Sequence, residues 1–201
     1  FWNAARTWLN RFVASDGGED RNPRFQPQRY GPVVMNARLV ARTQSLLRSF
    51  NEPDGGREGL VYWAGIKNER GGVVTTLIVP DAEAGAGFVR TTPSENAQVI
   101  GWLDAQHLVL LGQAHSHPPG AGARHSHGDD ESTFSPFEGQ ISVVVPDHAA
   151  AEDDVLSTWG LHRFVDGEYR RIPDEDWHDH LRVVPHEHDR RREDIDVGAT
   201  G

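Results

Sequence analysis

The chain reads as an α+β domain on a mixed or antiparallel sheet. Its apolar segments run in the order helix, strands, helix, strands, without the strict alternation of a doubly wound fold. The strand-like runs are short, rich in Val, Ile and Thr, and separated by Gly- and Asp-bearing turns. The helical stretches place their apolar residues at helical spacing. With 201 residues the chain accommodates one domain with extensions, a typical domain being roughly 100–200 residues.

Taken in order, Phe1, Trp2, Ala5, Trp8, Leu9 and Phe12 fall on one side of an amphipathic helix over 1–14. Only Arg6 and Arg11 give that helix positive charge, so packing on the domain or docking of a partner protein is expected rather than a membrane surface. Residues 15–32 are rich in Gly, Asp, Arg and Pro and read as a linker. The domain proper is expected over 33–184. Within it, Leu39, Val40, Leu46, Leu47 and Phe50 predict a helix from Met35 to Phe50, and Asp54-Gly55-Gly56 breaks the chain after it. Leu60–Ile66 and Val73–Pro80 predict two strands joined through Asn68–Gly72, and Phe88–Thr91 a third. Pro93–Gln106, with Ser94 followed closely by an acid, predicts a second helix.

Leu108–Leu111 is a continuous apolar run of the buried-strand kind that feeds directly into Ala114-His115-Ser116-His117. Ile141–Pro146 predicts another strand, and Trp159–Val165 with Tyr169–Ile172 a hairpin around Asp166-Gly167. Beyond Pro173 the sequence turns polar, and 185–201 reads as a disordered charged tail.

Composition removes several function classes. There is no cysteine, which excludes thiol proteases, disulfides and thiolate metal sites and leaves His and carboxylate as the only strong metal ligands. A formal net charge of −10 supplies no sequence-wide attraction to nucleic acid or anionic membrane. No apolar run approaches the ~20 residues of a membrane span. The start, Phe1-Trp2-Asn3, has no basic region leading into an apolar stretch, so it reads as part of a longer chain rather than as a signal peptide, and a cytoplasmic protein is expected.

Three of the chain's His-x-His pairs compete for attention: His115/His117, His125/His127 and His186/His188. Side chains two apart in a strand share a face, so such a pair at a strand end can offer two imidazoles to one ion. Only the first pair follows an apolar β-run. The second sits in a Gly-rich loop, where either residue could border a site, and the third lies in the polar tail.

The run His115-Ser116-His117-Pro118, with eight residues between His117 and Ser126, then Ser126-His127-Gly128-Asp129, resembles the JAMM motif of the MPN+ metalloproteases. Glu58-Gly59-Leu60-Val61-Tyr62-Trp63-Ala64-Gly65 is similar to that family's glutamate-bearing strand, and Gly139–Pro146 to the strand after the metal loop in bacterial members. The resemblance covers about Met35 to Ile172. It implies an MPN/JAB-like mixed sheet flanked by helices, with the N-terminal helix as an addition. It also implies one Zn2+ per chain, held by His115, His117 and Asp129, with a fourth position for water. Glu58 would move the proton of that water, and Ser126 would hydrogen-bond the carbonyl oxygen as it gains charge. The expected reaction is hydrolysis of an amide or isopeptide bond. The expected partner is a ubiquitin-like protein or its conjugates.

Plainer readings stand beside these. Glu58 could be a solvated strand-entry residue, Ser126 a turn residue, and the carboxylate ligand Asp130 rather than Asp129, although the Ser-x-x-Asp spacing favours Asp129. A small-peptide or small-molecule amidohydrolase and a non-catalytic MPN scaffold are the competing functions. The metallo-β-lactamase pattern is excluded, because Pro119 and Gly120 stand where it needs Asp and His. There is no Gly-x-Ser-x-Gly, no His-Glu-x-x-His and no Gly-Lys-Ser loop.

Overall fold

The computed structural model describes residues 30–51, 56–126, 129, 134–151 and 155–185. The expected N-terminal helix, the linker as far as residue 29, the tail from residue 186 and His127 lie outside them.

The first element is a strand, Val33–Asn36 (β1), where the sequence predicts the start of a helix. The helix is shorter than expected, Ala37–Ser49 (α1), and Met35 belongs to the strand before it. Asn36 sets the boundary: its backbone is extended and its side chain accepts the Leu39 N–H at 2.9 Å, a cap worth about 1 kcal/mol. Leu60–Asn68 (β2) and Gly71–Ile78 (β3) form the expected hairpin, but both strands run further into the Gly-rich segment, leaving Glu69-Arg70 as the turn. Glu83–Gly85 (β4) and Phe88–Arg90 (β5) pair in a small sheet of their own. Pro93–Gln106 (α2) matches its prediction. Its cap is Thr92, however, in a reciprocal capping box with Glu95, and Pro93 opens the helix.

Val109–Ser116 (β6) and Ile141–Val145 (β7) follow, then a short helix, Val155–Thr158 (α3), and the hairpin Gly160–Val165 (β8) with Glu168–Arg171 (β9). Past Pro173, where only polar sequence is expected, a one-turn helix Trp177–His180 (α4) leads into Leu181–Val184 (β10). Among the described residues ten strands thus make an eight-stranded mixed sheet, in the order β10-β1-β3-β2-β6-β7-β8-β9, and the β4-β5 pair. Pairing is parallel at β10-β1, β1-β3 and β6-β7 and antiparallel elsewhere in that sheet.

Both faces of the central sheet are covered. Val61, Trp63, Ala114, Val143, Val145 and Leu161 pack on one side with Val40 and Leu47 of α1. Leu60, Tyr62, Ala64 and Leu110 pack on the other with Val99 and Leu103 of α2 and with Phe134 and Phe137. This explains why β6 and β7 read as continuous apolar runs rather than alternating ones. A one-residue register shift between Trp63 and Ala64 leaves Leu111 of β6 without an opposite number in β2 and lets it join the first layer while Leu110 joins the second. Buried Arg163 ties the far end of the sheet together. It donates to the carbonyls of Gly139 at 3.2 Å and Gly31 at 2.8 Å and to His180 Nδ1 at 3.0 Å, and it lies over the Tyr30 ring. Among the described residues, no helix is long and apolar enough to cross a membrane.

Candidate metal centre

β6 carries His115 as its penultimate residue, and His117 follows the last one. Beside it, β2 runs antiparallel with Leu60 opposite His115. Ser116 N–H donates to the Gly59 carbonyl at 3.0 Å, and Gly59 N–H to Ser116 Oγ at 2.8 Å. Continued by two residues, that register sets Glu58 opposite His117, and opposed residues of an antiparallel pair share a face. Glu58 therefore stands on the histidine side of the sheet. It is buried there, with its N–H donated to the Gly85 carbonyl of β4 at 2.9 Å.

Asp129 completes the group. Its Oδ2 is 3.1 Å from His117 Nε2 and 3.4 Å from His115 Nε2, and the two Nε2 atoms are 3.2 Å apart. A tetrahedral ion with ligand bonds of about 2.0–2.1 Å holds its ligand atoms about 3.3 Å apart, so the three atoms have the spacing of one face of such a site. Among the described residues this is the group of three side chains that could hold a metal ion. Two neutral imidazoles and one carboxylate suit a borderline-soft dication. His117 Nδ1 donates to the Gly122 carbonyl at 3.2 Å, which leaves Nε2 as the free lone pair facing the group.

Electrostatics support the same division of roles. Burial alone would raise the Asp129 carboxyl. Hydrogen bonds to His115 and His117, the His115 charge and the Ser126 N–H outweigh it and hold Asp129 well below the usual carboxylate range, so it is ionised. Burial likewise depresses His117, but Asp129 and Glu58 overcome this and raise it. Glu58 is pushed up to about 7, chiefly by burial, with His117 opposing and Asp129 adding. A buried carboxyl that titrates near neutrality is suited to both accepting and releasing a proton. Ser126 is exposed, and its Oγ accepts the Asp129 N–H at 3.3 Å while its own N–H donates to Asp129 Oδ2 at 2.6 Å. The turn role and the Ser-x-x-Asp spacing are thus one feature. The hydroxyl proton is not used by that turn.

Sequence reasoning placed His125 in a loop that could border the site and gave no role to Ser142, His162 or Tyr169. In the structure, His125 Nε2 meets Ser142 Oγ at 2.7 Å, and its N–H points to His162 Nε2 at 3.4 Å. Its ring stacks on Tyr169 and stands edge-on to His115, 5.2 Å between centroids. Burial, with the charges of His115 and His162, lowers His125 to about 2, so it stays neutral. Arg171 Nη1 donates to the Ala123 carbonyl at 2.7 Å. These contacts fasten the Gly- and Ala-rich loop over β8 and β9. The available signal was His162, which with Arg163 puts two polar residues inside the strand Gly160–Val165.

A second unforeseen feature adjoins His117. Asp147, His148 and Ala149 have φ of 53°, 51° and 61°, a left-handed turn without glycine, at about 1–2 kcal/mol per residue. His148 N–H donates to the His117 carbonyl at 2.7 Å, and His117 N–H to the Val145 carbonyl at 2.9 Å.

No family model matches the chain. A probable metalloprotease, y4jG, of Sinorhizobium fredii is 32% identical over 145 residues, covering 70% of this chain and 87% of the relative. A solution structure of a Desulfitobacterium hafniense protein shares the fold at TM-score 0.57 and 12% identity, over 76% of this chain and 93% of that one. A JAB1/MPN domain protein from Archaeoglobus fulgidus aligns at TM-score 0.42 and 16% identity, over 77% and 97%.

Proposed function

The chain belongs to the JAMM/MPN+ metalloproteases, and from that footing we propose that it is a zinc-dependent isopeptidase or peptidase acting on a ubiquitin-like protein or its conjugates. The observation that carries the reading is the convergence of His115 Nε2, His117 Nε2 and Asp129 Oδ2 beside the buried carboxyl of Glu58. His115, His117 and Asp129 would hold one zinc ion. A dication there supplies a Lewis acid that acidifies water and polarises the scissile carbonyl.

The chain's own residues do the rest. Glu58 takes the proton of the attacking water and delivers it to the departing amine, which is a poor leaving group until protonated. Ser126 Oγ directs its remaining O–H to the carbonyl oxygen as that oxygen gains charge. Gly122 holds the His117 ring in one tautomer. The layers around Leu60 and Tyr62 keep the site floor dry, which strengthens each of these polar contacts.

The test is cleavage of an isopeptide-linked ubiquitin-like conjugate by metal-stripped protein before and after zinc is restored. Zinc-dependent release of the ubiquitin-like protein supports the proposal. Turnover of short peptides alone, with the conjugate untouched, favours the small-substrate amidohydrolase. No turnover of either by protein carrying one zinc would leave a scaffold role.

A further inference from the structure

We propose that Gln44 and Arg48 of α1 are positioning residues for His117, acting through the left-handed turn Asp147–Ala149; the proposal rests on the reading of His117 as a metal ligand. His117 lies beyond the last residue of β6; its N–H still donates to the Val145 carbonyl of the neighbouring β7, but its carbonyl is held by His148 N–H, inside that turn. Three consecutive non-glycine residues at positive φ do not hold such a conformation unaided.

The carbonyls that follow are where α1 takes hold. Arg48 Nε donates to Ala149 O at 3.1 Å, and Arg48 Nη2 to Ala151 O at 2.9 Å and Ala150 O at 3.4 Å. Gln44 Nε2, which is buried, donates to Ala149 O at 3.3 Å and to Ala151 O. Among the described residues Arg48 has no acidic partner, and its guanidinium is spent on these backbone oxygens. α1 therefore reaches the far side of the strained turn and locks it, and the turn in turn locks the backbone of His117.

The experiment measures zinc affinity by chelator competition, alongside the melting temperature of the metal-free protein. Arg48→Ala should weaken zinc binding at least tenfold, the scale on which residues behind a metal ligand act. Asp147 supplies the rescue, because it is exposed and its side chain can be changed without disturbing the core. Asp147→Gly in the Arg48→Ala background should recover most of the affinity, since glycine takes positive φ without penalty. Asp147→Val alone, with α1 intact, should weaken binding as Arg48→Ala does, because a β-branched residue resists that conformation. If Arg48→Ala does not fold, Asp147→Val, made with α1 intact, still decides. Unchanged affinity in Arg48→Ala and Asp147→Val, or a loss that glycine does not recover and that follows the melting temperature, overturns the proposal. Failure of His117→Ala to lose zinc would instead overturn the ligand assignment beneath it.

Discussion

Gly160 of β8 lies directly against the carbonyl oxygen of Ala123, with no room between them for a β-carbon. That contact sets the height of the loop over the sheet, and the same loop supplies Gly122 to His117 and His125 to the histidine layer. Gly160→Ala should lift the loop, break the Gly122 contact and weaken metal binding about 10–100-fold, as loss of an outer partner of a ligand does. Gly87→Ala, where a β-carbon meets nothing within 4 Å, should leave affinity unchanged. Chelator competition on both variants checks this, and equal affinities would remove the loop from the metal's support.

Metal content follows the three converging atoms. The protein should hold about one zinc per chain. His115→Ala, His117→Ala and Asp129→Ala should each abolish that, while His186→Ala in the charged tail should not. Elemental analysis after dialysis distinguishes them; stoichiometric zinc in any of the first three would discard that residue as a ligand.

Glu58→Gln keeps the shape of the side chain and loses the proton acceptor. Since general acid–base catalysis contributes about 10²–10⁴-fold, turnover should fall at least a hundredfold with zinc at full occupancy. The acid limb of kcat/KM in the parent should lie below pH 7, because a bound dication lowers the carboxyl from the value near 7 that burial gives it, and the variant should lack that limb.

The same carboxyl makes a stability prediction of definite sign. Its folded pKa is raised above its ordinary 4.5, so its contribution is fully present below about pH 4.5 and is lost as pH rises through about 7. Metal-free Glu58→Gln should therefore be more stable than the parent near pH 8, by on the order of 1–3 kcal/mol, and level with it near pH 4. A variant no more stable than the parent near pH 8 would contradict the burial of a charge there.

His180 points the other way. Burial, then the Arg163 charge, lowers it to about 4, and its Nδ1 accepts from Arg163 only while unprotonated. A depressed folded pKa gives stability that is complete above about pH 6.5 and lost as pH falls through about 4. Metal-free protein should lose on the order of 2–3 kcal/mol across that window through this residue, and His162, also lowered to about 4, should add to the loss. His180→Gln retains an acceptor for Arg163 and does not titrate, so urea unfolding should show a shallower acid loss in the variant. Parallel pH profiles would contradict the assignment.

Much of this molecule is local, and what is local is legible in the sequence. Apolar spacing locates α1 to within two residues at its start, α2 at both its ends, and the hairpin around Asp166-Gly167, because burying one face leaves a period in the sequence. The apolar run into His115-Ser116-His117 identifies a strand that delivers two imidazoles to one face, because side chains two apart on a strand share a face. Ser126-x-x-Asp129 is likewise a local turn.

Tertiary structure alone decided the rest. β1 and β10, four residues each from opposite ends of the described chain, carry no alternation and no turn between them; only their parallel pairing makes them strands. Among thirty Asp and Glu, Glu58 is singled out in the sequence only by its resemblance to a family's glutamate-bearing strand; that it meets His117 is decided by the ladder between β2 and β6, which fixes which residues are opposed. The left-handed turn at Asp147–Ala149 contains no glycine to announce it and is held by Gln44 and Arg48 from another element. Periodicity records that a face is buried. Which distant strand, carbonyl or helix covers it is set by hydrogen-bond register and packing between segments that share no local pattern.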